Sequence, residues 1–163
     1  MLQDKVTLVD APAGQPSPAS ATAAFMEALG AVTFVMTRSP TYCQYPIACI
    51  AEWLRPPLLL CQYTLFYDAS ANLVGYMTWA FLAEDTEQRL IGDPAILLHL
   101  SEWNEGDRLW IMDFVVLNGD VRKFVQLGKN RLSQFEEAKS LRRRDDGSIR
   151  KVTRWGCMTR SRL

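Results

Sequence analysis

One carboxylate interrupts a long apolar run, and that run constrains the fold more than any other feature. In EGDRLWIMDFVVL (105–117), every position from Leu109 to Leu117 is apolar except Asp113. A strand that is apolar on both faces belongs in the middle of a sheet. Burying a carboxylate there is costly unless it is hydrogen-bonded or paired. Burial also raises its pKa, which suits a base or an orienting group. Asp113 is therefore either such a group or a structural aspartate held by backbone amides or an arginine.

The segments around this strand read in order. Residues 22–29 predict a short helix stopped by Gly30. AVTFVM (31–36) is β-branched and predicts a strand, followed by the proline-punctuated loop TRSPTYCQYP (37–46). Ile47–Leu54 predicts a helix with Ile47, Ile50, Ala51 and Leu54 on one face, ended by Pro56 and Pro57. CQYTLFYD (61–68) and NLVGYMTWAFL (72–82) predict an antiparallel hairpin turning at Ala69–Ala71. Residues 84–100 are expected to be helical in part, with Pro94 opening a helix. Val121, Phe124, Val125, Gly128, Leu132 and Phe135 recur at helical spacing, which predicts a helix over 121–138. SLRRR, DDGS and IRKVTRW (140–155) predict a final hairpin. The layout is α+β, with helices packed on a mostly antiparallel central sheet. Residues 1–22, rich in Pro, Ala and Ser from 11 on, read as a flexible leader. Residues 23–163 are long enough for a single domain.

Composition narrows the function. Formal net charge is zero, so no global field draws in nucleic acid. Basic residues gather instead at the end of the chain, from Arg142, Arg143 and Arg144 through Arg150, Lys151 and Arg154 to Arg160 and Arg162. That end is either a solvated tail or a surface for an acidic partner. Cys43, Cys49, Cys61 and Cys157 form no C-x-x-C pair and His99 is the one histidine, so no metal site is expected. Cys43, Cys49 and Cys61 are expected to be buried free thiols. No apolar run reaches the length of a membrane span, and MLQDKVTLVD does not resemble a signal peptide. The expectation is a cytoplasmic protein without stable membrane insertion.

Few other residues are candidates for chemistry. Ser39 lies where a strand meets a helix, either presenting its hydroxyl or serving as a turn or capping residue. Tyr42 and Tyr45 are phenol donors or packing residues. His99, in AILLHL, reads as a satisfied core or edge histidine. There is no G-x-S-x-G elbow and no glycine loop that cradles phosphate. The turn NGDVRK (118–123) also lacks the glycine pattern by which acetyltransferase-fold enzymes hold coenzyme A.

Several strings together resemble the toxin-activating lysine-acyltransferase family, the activators of RTX toxins and hemolysins. They are S-P-T-Y-C-Q-Y-P (39–46), Gln62-Tyr63 at a strand start, V-G-Y-M-T-W-A (74–80) and G-D-R-L-W-I-M-D-F (106–114) preceded by Trp103. S-L-R (140–142) and K-V (151–152) match a weaker hairpin pattern. The resemblance covers about residues 31–155. It implies an acetyltransferase-like (GNAT) fold and acyl transfer from acyl carrier protein to a lysine side-chain amine of a protein substrate. It also implies a homodimer. By position Asp113 falls on the family's catalytic aspartate, Ser39 on its serine and Arg142 on a hairpin arginine. The family's histidine stands three residues after the serine, where this chain has Tyr42, and His99 does not replace it by position.

The residues permit direct attack of an amine on a thioester. Asp113 takes the amine proton, Tyr42 protonates the departing phosphopantetheine thiolate, and Ser39 hydrogen-bonds carbonyl or amine. Phe34, Met36, Met77, Trp79, Trp110 and Met112 line the acyl channel or simply form core. Arg142, Arg143 and Lys151 receive the acidic carrier protein. No permanently bound cofactor is expected; acyl carrier protein is the donor. The acceptor is a protoxin lysine, or a lysine or ornithine of a ribosomally made peptide. A degenerate protein that only binds carrier or client is the non-catalytic alternative.

Overall fold

The computed structural model describes residues 7–10, 18–144 and 148–156. The expected turn at Asp145–Gly147, together with Cys157, Arg160 and Arg162, lies outside the described residues. The fold is α+β, a mixed open sheet flanked by helices, as expected of an acetyltransferase-like domain. The chain divides into two compact units, Met1–Thr78 with Asp113–Val121, and Trp79–Met112 with Arg122–Leu163. Two strands, β3 (Leu73–Leu82) and β4 (Arg108–Val116), contribute to both.

In the first unit, β1 (Thr7–Asp10) pairs antiparallel with β2 (Tyr63–Tyr67), and β2 with the first half of β3. The expected hairpin at 61–82 is thus present. Its turn is closed by Asp68, whose carboxylate accepts from the backbone N–H groups of Ser70 and Asn72. The end of β4 runs opposite to β3: the N–H of Leu117 donates to the Val74 carbonyl, and that of Asp113 meets the Thr78 hydroxyl. Gly75 permits this approach, since a Cβ there would lie 2.2 Å from the Val115 carbonyl oxygen.

Three expectations fail in this unit. Residues 31–36 are not a strand but the end of α1 (Pro18–Arg38), which runs straight through Gly30. Ala28, Val32, Val35 and Met36 are all buried, a spacing that fits one helix face. A β-branched residue costs a helix about 0.5 kcal/mol, whereas burying a valine contributes about 1.5 kcal/mol or more, so burial wins. Part of the expected leader is structured, as β1 and the start of α1. Pro56 and Pro57 do not end a helix. They occupy the first turn of α2 (Arg55–Leu59), directly after a π turn over Ile50–Leu54. A first turn needs no N–H from them.

Helix α1 also corrects the view that no segment could span a bilayer, because Ala19–Arg38 is long and apolar enough by length and composition. Val32 and Val35 lie in a core cluster with Leu54, Leu58, Leu65 and Tyr76, while only 22% of the segment's apolar window is buried.

In the second unit, β4 pairs parallel with β5 (Glu137–Arg143), and β5 antiparallel with β6 (Ile149–Gly156). The parallel pair requires a crossover, which α4 (Val121–Arg131) supplies. α4 is shorter than the expected 121–138, because Glu137 onward is taken into the sheet. Its buried stripe is Phe124, Gly128 and then Leu132 just past its end. Pro94 opens no helix; it follows α3 (Glu84–Gly92) as a stop.

Candidate active site

Asp113 is 4% exposed and sits in the first unit at the start of the second half of β4. Its carboxylate accepts from three side chains. The Tyr42 hydroxyl donates to Oδ1 at 2.8 Å. The Trp53 indole N–H and the Thr78 hydroxyl donate to Oδ2 at 3.0 and 2.9 Å. Thr78 Oγ1 also accepts from the Asp113 backbone N–H at 3.1 Å, so one threonine fixes both main chain and side chain. Charge-assisted bonds of about 1.5–3 kcal/mol each oppose a burial cost of several kcal/mol. Burial still prevails and holds Asp113 above the ordinary carboxylate pKa, against the lowering effect of Tyr42, Thr78 and Trp53.

Each donor arrives by a different route. Tyr42 stands in the 3-10 turn Tyr42–Gln44 that follows α1. Ser39 shapes that turn: its carbonyl accepts from the Cys43 N–H, and its buried hydroxyl lies 3.5 Å from the Tyr42 N–H. Ser39 is thus a turn residue that places Tyr42, the plainer of its two sequence readings. Trp53 comes from the π turn before α2. Thr78 shares one face of β3 with Tyr76, two residues earlier.

Around this carboxylate lies an aromatic wall. The Tyr42 ring meets that of Tyr45 at 5.1 Å and that of Tyr76 edge-on at 6.5 Å. Burial first, and then the Asp113 charge, push the pKa values of Tyr42, Tyr45 and Tyr76 above the ordinary phenol value. The same two causes raise the Cys49 thiol. With their pKa values raised from the ordinary phenol and thiol range, these groups stay protonated at neutral pH. Tyr45 is half exposed and Ile47 is 84% exposed.

The structure re-aims or separates other expected residues. The Tyr42 hydroxyl, expected to protonate a leaving thiolate, already donates to Asp113. Met36 belongs to the core cluster with α1, and Phe34 is 48% exposed under the Arg38 guanidinium. Met77 alternates with Tyr76 and Thr78 and so takes the opposite face of β3. These three do not share a channel in the first unit. Trp79, Trp110 and Met112 belong to the second unit. There the Trp110 indole donates to buried Glu87 at 2.7 Å, and the Arg131 guanidinium lies over Trp79. A cleft of about 440 Å³ in that unit is lined by Arg108, Leu109, Phe135, Glu137 and Lys139.

Glu87 is the second unit's polar centre. It accepts from Lys139 Nζ at 2.7 Å and from Trp110, and Arg108 Nε forms an ion pair with it at 3.2 Å. Burial raises its pKa, but the bonds from Lys139 and Trp110 and the charges of Lys139 and Arg108 bring it below the ordinary value. On the terminal hairpin, Arg142 and Lys151 are exposed and directly opposed in register. Arg143 is committed elsewhere: it donates to the carbonyls of Leu90, Ile91 and Asp93 at the end of α3. It is a helix-capping arginine rather than part of an open cationic surface. His99 caps the 3-10 turn Leu100–Trp103 and is exposed. Cys43 and Cys61 are exposed thiols, against the expectation of burial, because both lie in turns rather than in the core. Among the described residues no three His, Cys, Asp or Glu side chains gather as a metal site.

Sequence reasoning missed Trp53, Thr78 and Tyr76. A hydroxyl in the apolar stretch V-G-Y-M-T-W-A was the available signal for Thr78; nothing local marks Trp53.

Comparison with known proteins adds a family. The profile of the RTX toxin acyltransferase family matches residues 21–156. An uncharacterised protein of Synechocystis sp. is 30% identical over 134 residues, 81% of this chain and 90% of that protein. The protein-lysine palmitoyltransferase CyaC of Bordetella bronchiseptica is 34% identical over 88 residues, 54% of this chain and 46% of that enzyme. The protein-lysine myristoyltransferase HlyC of Escherichia coli is 30% identical over 95 residues, 58% of this chain and 55% of that enzyme. The chain thus spans about half the length of these two enzymes.

Proposed function

The chain belongs to the RTX toxin acyltransferase family, and from that premise we propose that it moves a fatty acyl group from an acyl carrier protein thioester to a side-chain amine. The acceptor is a lysine- or ornithine-type amine of a protein or peptide. The observation that carries this reading is the buried Asp113 with Tyr42 donating to it. A lysine-type amine has a pKa near about 10.4 and must shed a proton to attack. That first proton goes to solvent, and the one lost as the C–N bond forms is the proton that Asp113 can receive.

Tyr42 bridges the transfer. Its proton faces Asp113, so its oxygen is left to accept from an approaching amine. The amine nitrogen attacks the thioester carbon and a C–N bond forms. The amine proton passes to the Tyr42 oxygen as the Tyr42 proton passes to Asp113. When the C–S bond breaks, the same relay returns a proton to the thiolate, giving amide and free thiol. Tyr45 and Ile47 offer apolar contact to the acyl chain as it approaches.

The carrier's acidic surface meets Arg142 and Lys151. The protein works in the cytoplasm as a homodimer and needs no resident cofactor. Tyr42 at the position of the family's histidine favours a second acceptor class, a ribosomally made peptide that is lipidated.

Intact mass spectrometry tests the reading. The chain is incubated with acyl carrier proteins of several chain lengths and with lysine- and ornithine-bearing acceptors. An added acyl mass on an acceptor is the expected result. Binding of carrier or acceptor with no transfer from any donor would make this a non-catalytic binder.

A further inference from the structure

The Tyr76 hydroxyl is buried and finds no protein hydrogen-bond partner among the described residues. Its side chain is 0% exposed. Leaving such a group unpaired is expensive, and a native structure keeps one only for a reason. Two observations indicate where this hydroxyl acts. Tyr76 lies two residues before Thr78 on the same face of β3, and Thr78 is bonded to Asp113. Its ring also packs edge-on against that of Tyr42. Burial first, and then the Asp113 charge, push the pKa of the Tyr76 phenol above its ordinary value.

We propose that Tyr76 is a further catalytic residue, whose O–H donates a hydrogen bond to the thioester carbonyl oxygen and stabilises the oxyanion formed when the amine attacks. This inference rests on the acyl-transfer reading above and assigns a task that Asp113 and Tyr42 leave undone. The side chains that bond this carboxylate are already committed to it. Tyr42, Trp53 and Thr78 all donate to Asp113, and the Ser39 hydroxyl faces the Tyr42 N–H. Tyr76 differs in being a fully buried hydroxyl for which the described residues supply no hydrogen-bond partner at all.

The electrons and protons balance. The amine lone pair forms the C–N bond and the carbonyl π pair moves onto oxygen, where it accepts from Tyr76. Collapse of that oxyanion expels the thiolate, and the relay through Tyr42 and Asp113 supplies its proton. Tyr76 keeps its own proton throughout. Burial and the Asp113 charge hold its pKa well above the ordinary phenol value, so it is a fixed donor and not an acid. A donor fixed before the charge develops needs no reorganisation during the reaction.

Tyr76→Phe removes the oxygen alone. The full chain and this variant are compared for transfer from acyl carrier protein and for thermal melting. The expected result is a kcat lower by about 10²- to 10³-fold, with KM for the acyl carrier protein within about twofold and Tm equal or higher. Tm should not fall, because the lost hydroxyl bonded to nothing in the fold. A variant kcat within twofold of the parent, with the parent active, would overturn the assignment and leave the acyl-transfer reading standing. A clear drop in Tm would also overturn it, by showing that the hydroxyl has a structural partner. If the unaltered chain transfers no acyl group to any acceptor, the functional reading fails and this inference fails with it.

Discussion

The Tyr42 hydroxyl donates to Asp113 Oδ1 across 2.8 Å, joining residues 71 positions apart. This bond ties the tyrosine that stands where the resemblance places a histidine directly to the buried carboxylate. It also helps hold the buried carboxylate in its charged form.

Tyr42→Phe therefore moves the pH dependence in a definite direction. The bond from Tyr42 lowers the Asp113 pKa, so its loss raises that pKa further. Activity that needs the carboxylate ionised is lost as pH falls through this pKa. The acid limb of kcat/KM should thus move to higher pH in the variant, with a lower plateau. The stability cost should be about 1–3 kcal/mol near neutral pH. A folded-state pKa raised above the unfolded one gives a contribution fully present below the unfolded value and lost as pH rises. The deficit of the variant should accordingly shrink in acid, where Asp113 is protonated in both proteins. An unmoved acid limb would remove Asp113 from the titration that governs rate.

Gly30→Ala tests the helix that runs where a strand was expected. Gly30 lies inside α1, and a Cβ there meets nothing within 4 Å. Alanine should stabilise the fold by about 0.5–1 kcal/mol, read as a higher denaturation midpoint. A destabilised variant would mean that Gly30 ends the helix.

Glu87→Gln separates the second unit's stability from the site. Lys139 and Arg108 lose their charged partner, at a cost of roughly 1–3 kcal/mol at pH 7. The Glu87 pKa is depressed, so its contribution is present above the ordinary value and is lost as pH falls through the folded one. The two melting curves should converge in acid. A constant difference across pH would show that packing, not charge, is at stake.

The two neighbouring arginines of β5 should behave differently. Arg143→Ala strips the donor from three carbonyls at the end of α3 and should lower stability by about 1–3 kcal/mol. Arg142→Glu with Lys151→Glu should leave stability within about 0.5 kcal/mol. It should raise KM for acyl carrier protein, most strongly at low salt. An unchanged KM at low salt would place the carrier elsewhere.

Local signals carried a good part of this structure. The apolar run around Asp113, the two apolar strands flanking the Ala69–Ala71 turn and the terminal hairpin were readable because each depends on its own pattern. The end of α1 was not, since Val32 and Val35 favour a strand locally and are overruled by burial in a core assembled from distant segments. The carboxylate was legible, but its holders were not: Trp53 lies 60 residues away in sequence and Thr78 lies 35. Arg143 looked like its neighbours Arg142 and Arg144 until α3 was placed beside it.

Asp113→Asn tests the central claim most directly. The substitution keeps size and shape, and its amide oxygen can still accept from Trp53 and Thr78, but it cannot take a proton from an amine. Acyl transfer is measured by intact mass of the acceptor, with melting as a check on folding. Transfer should fall by two or more orders of magnitude in a folded variant. Near-normal transfer by folded Asp113→Asn would contradict the account.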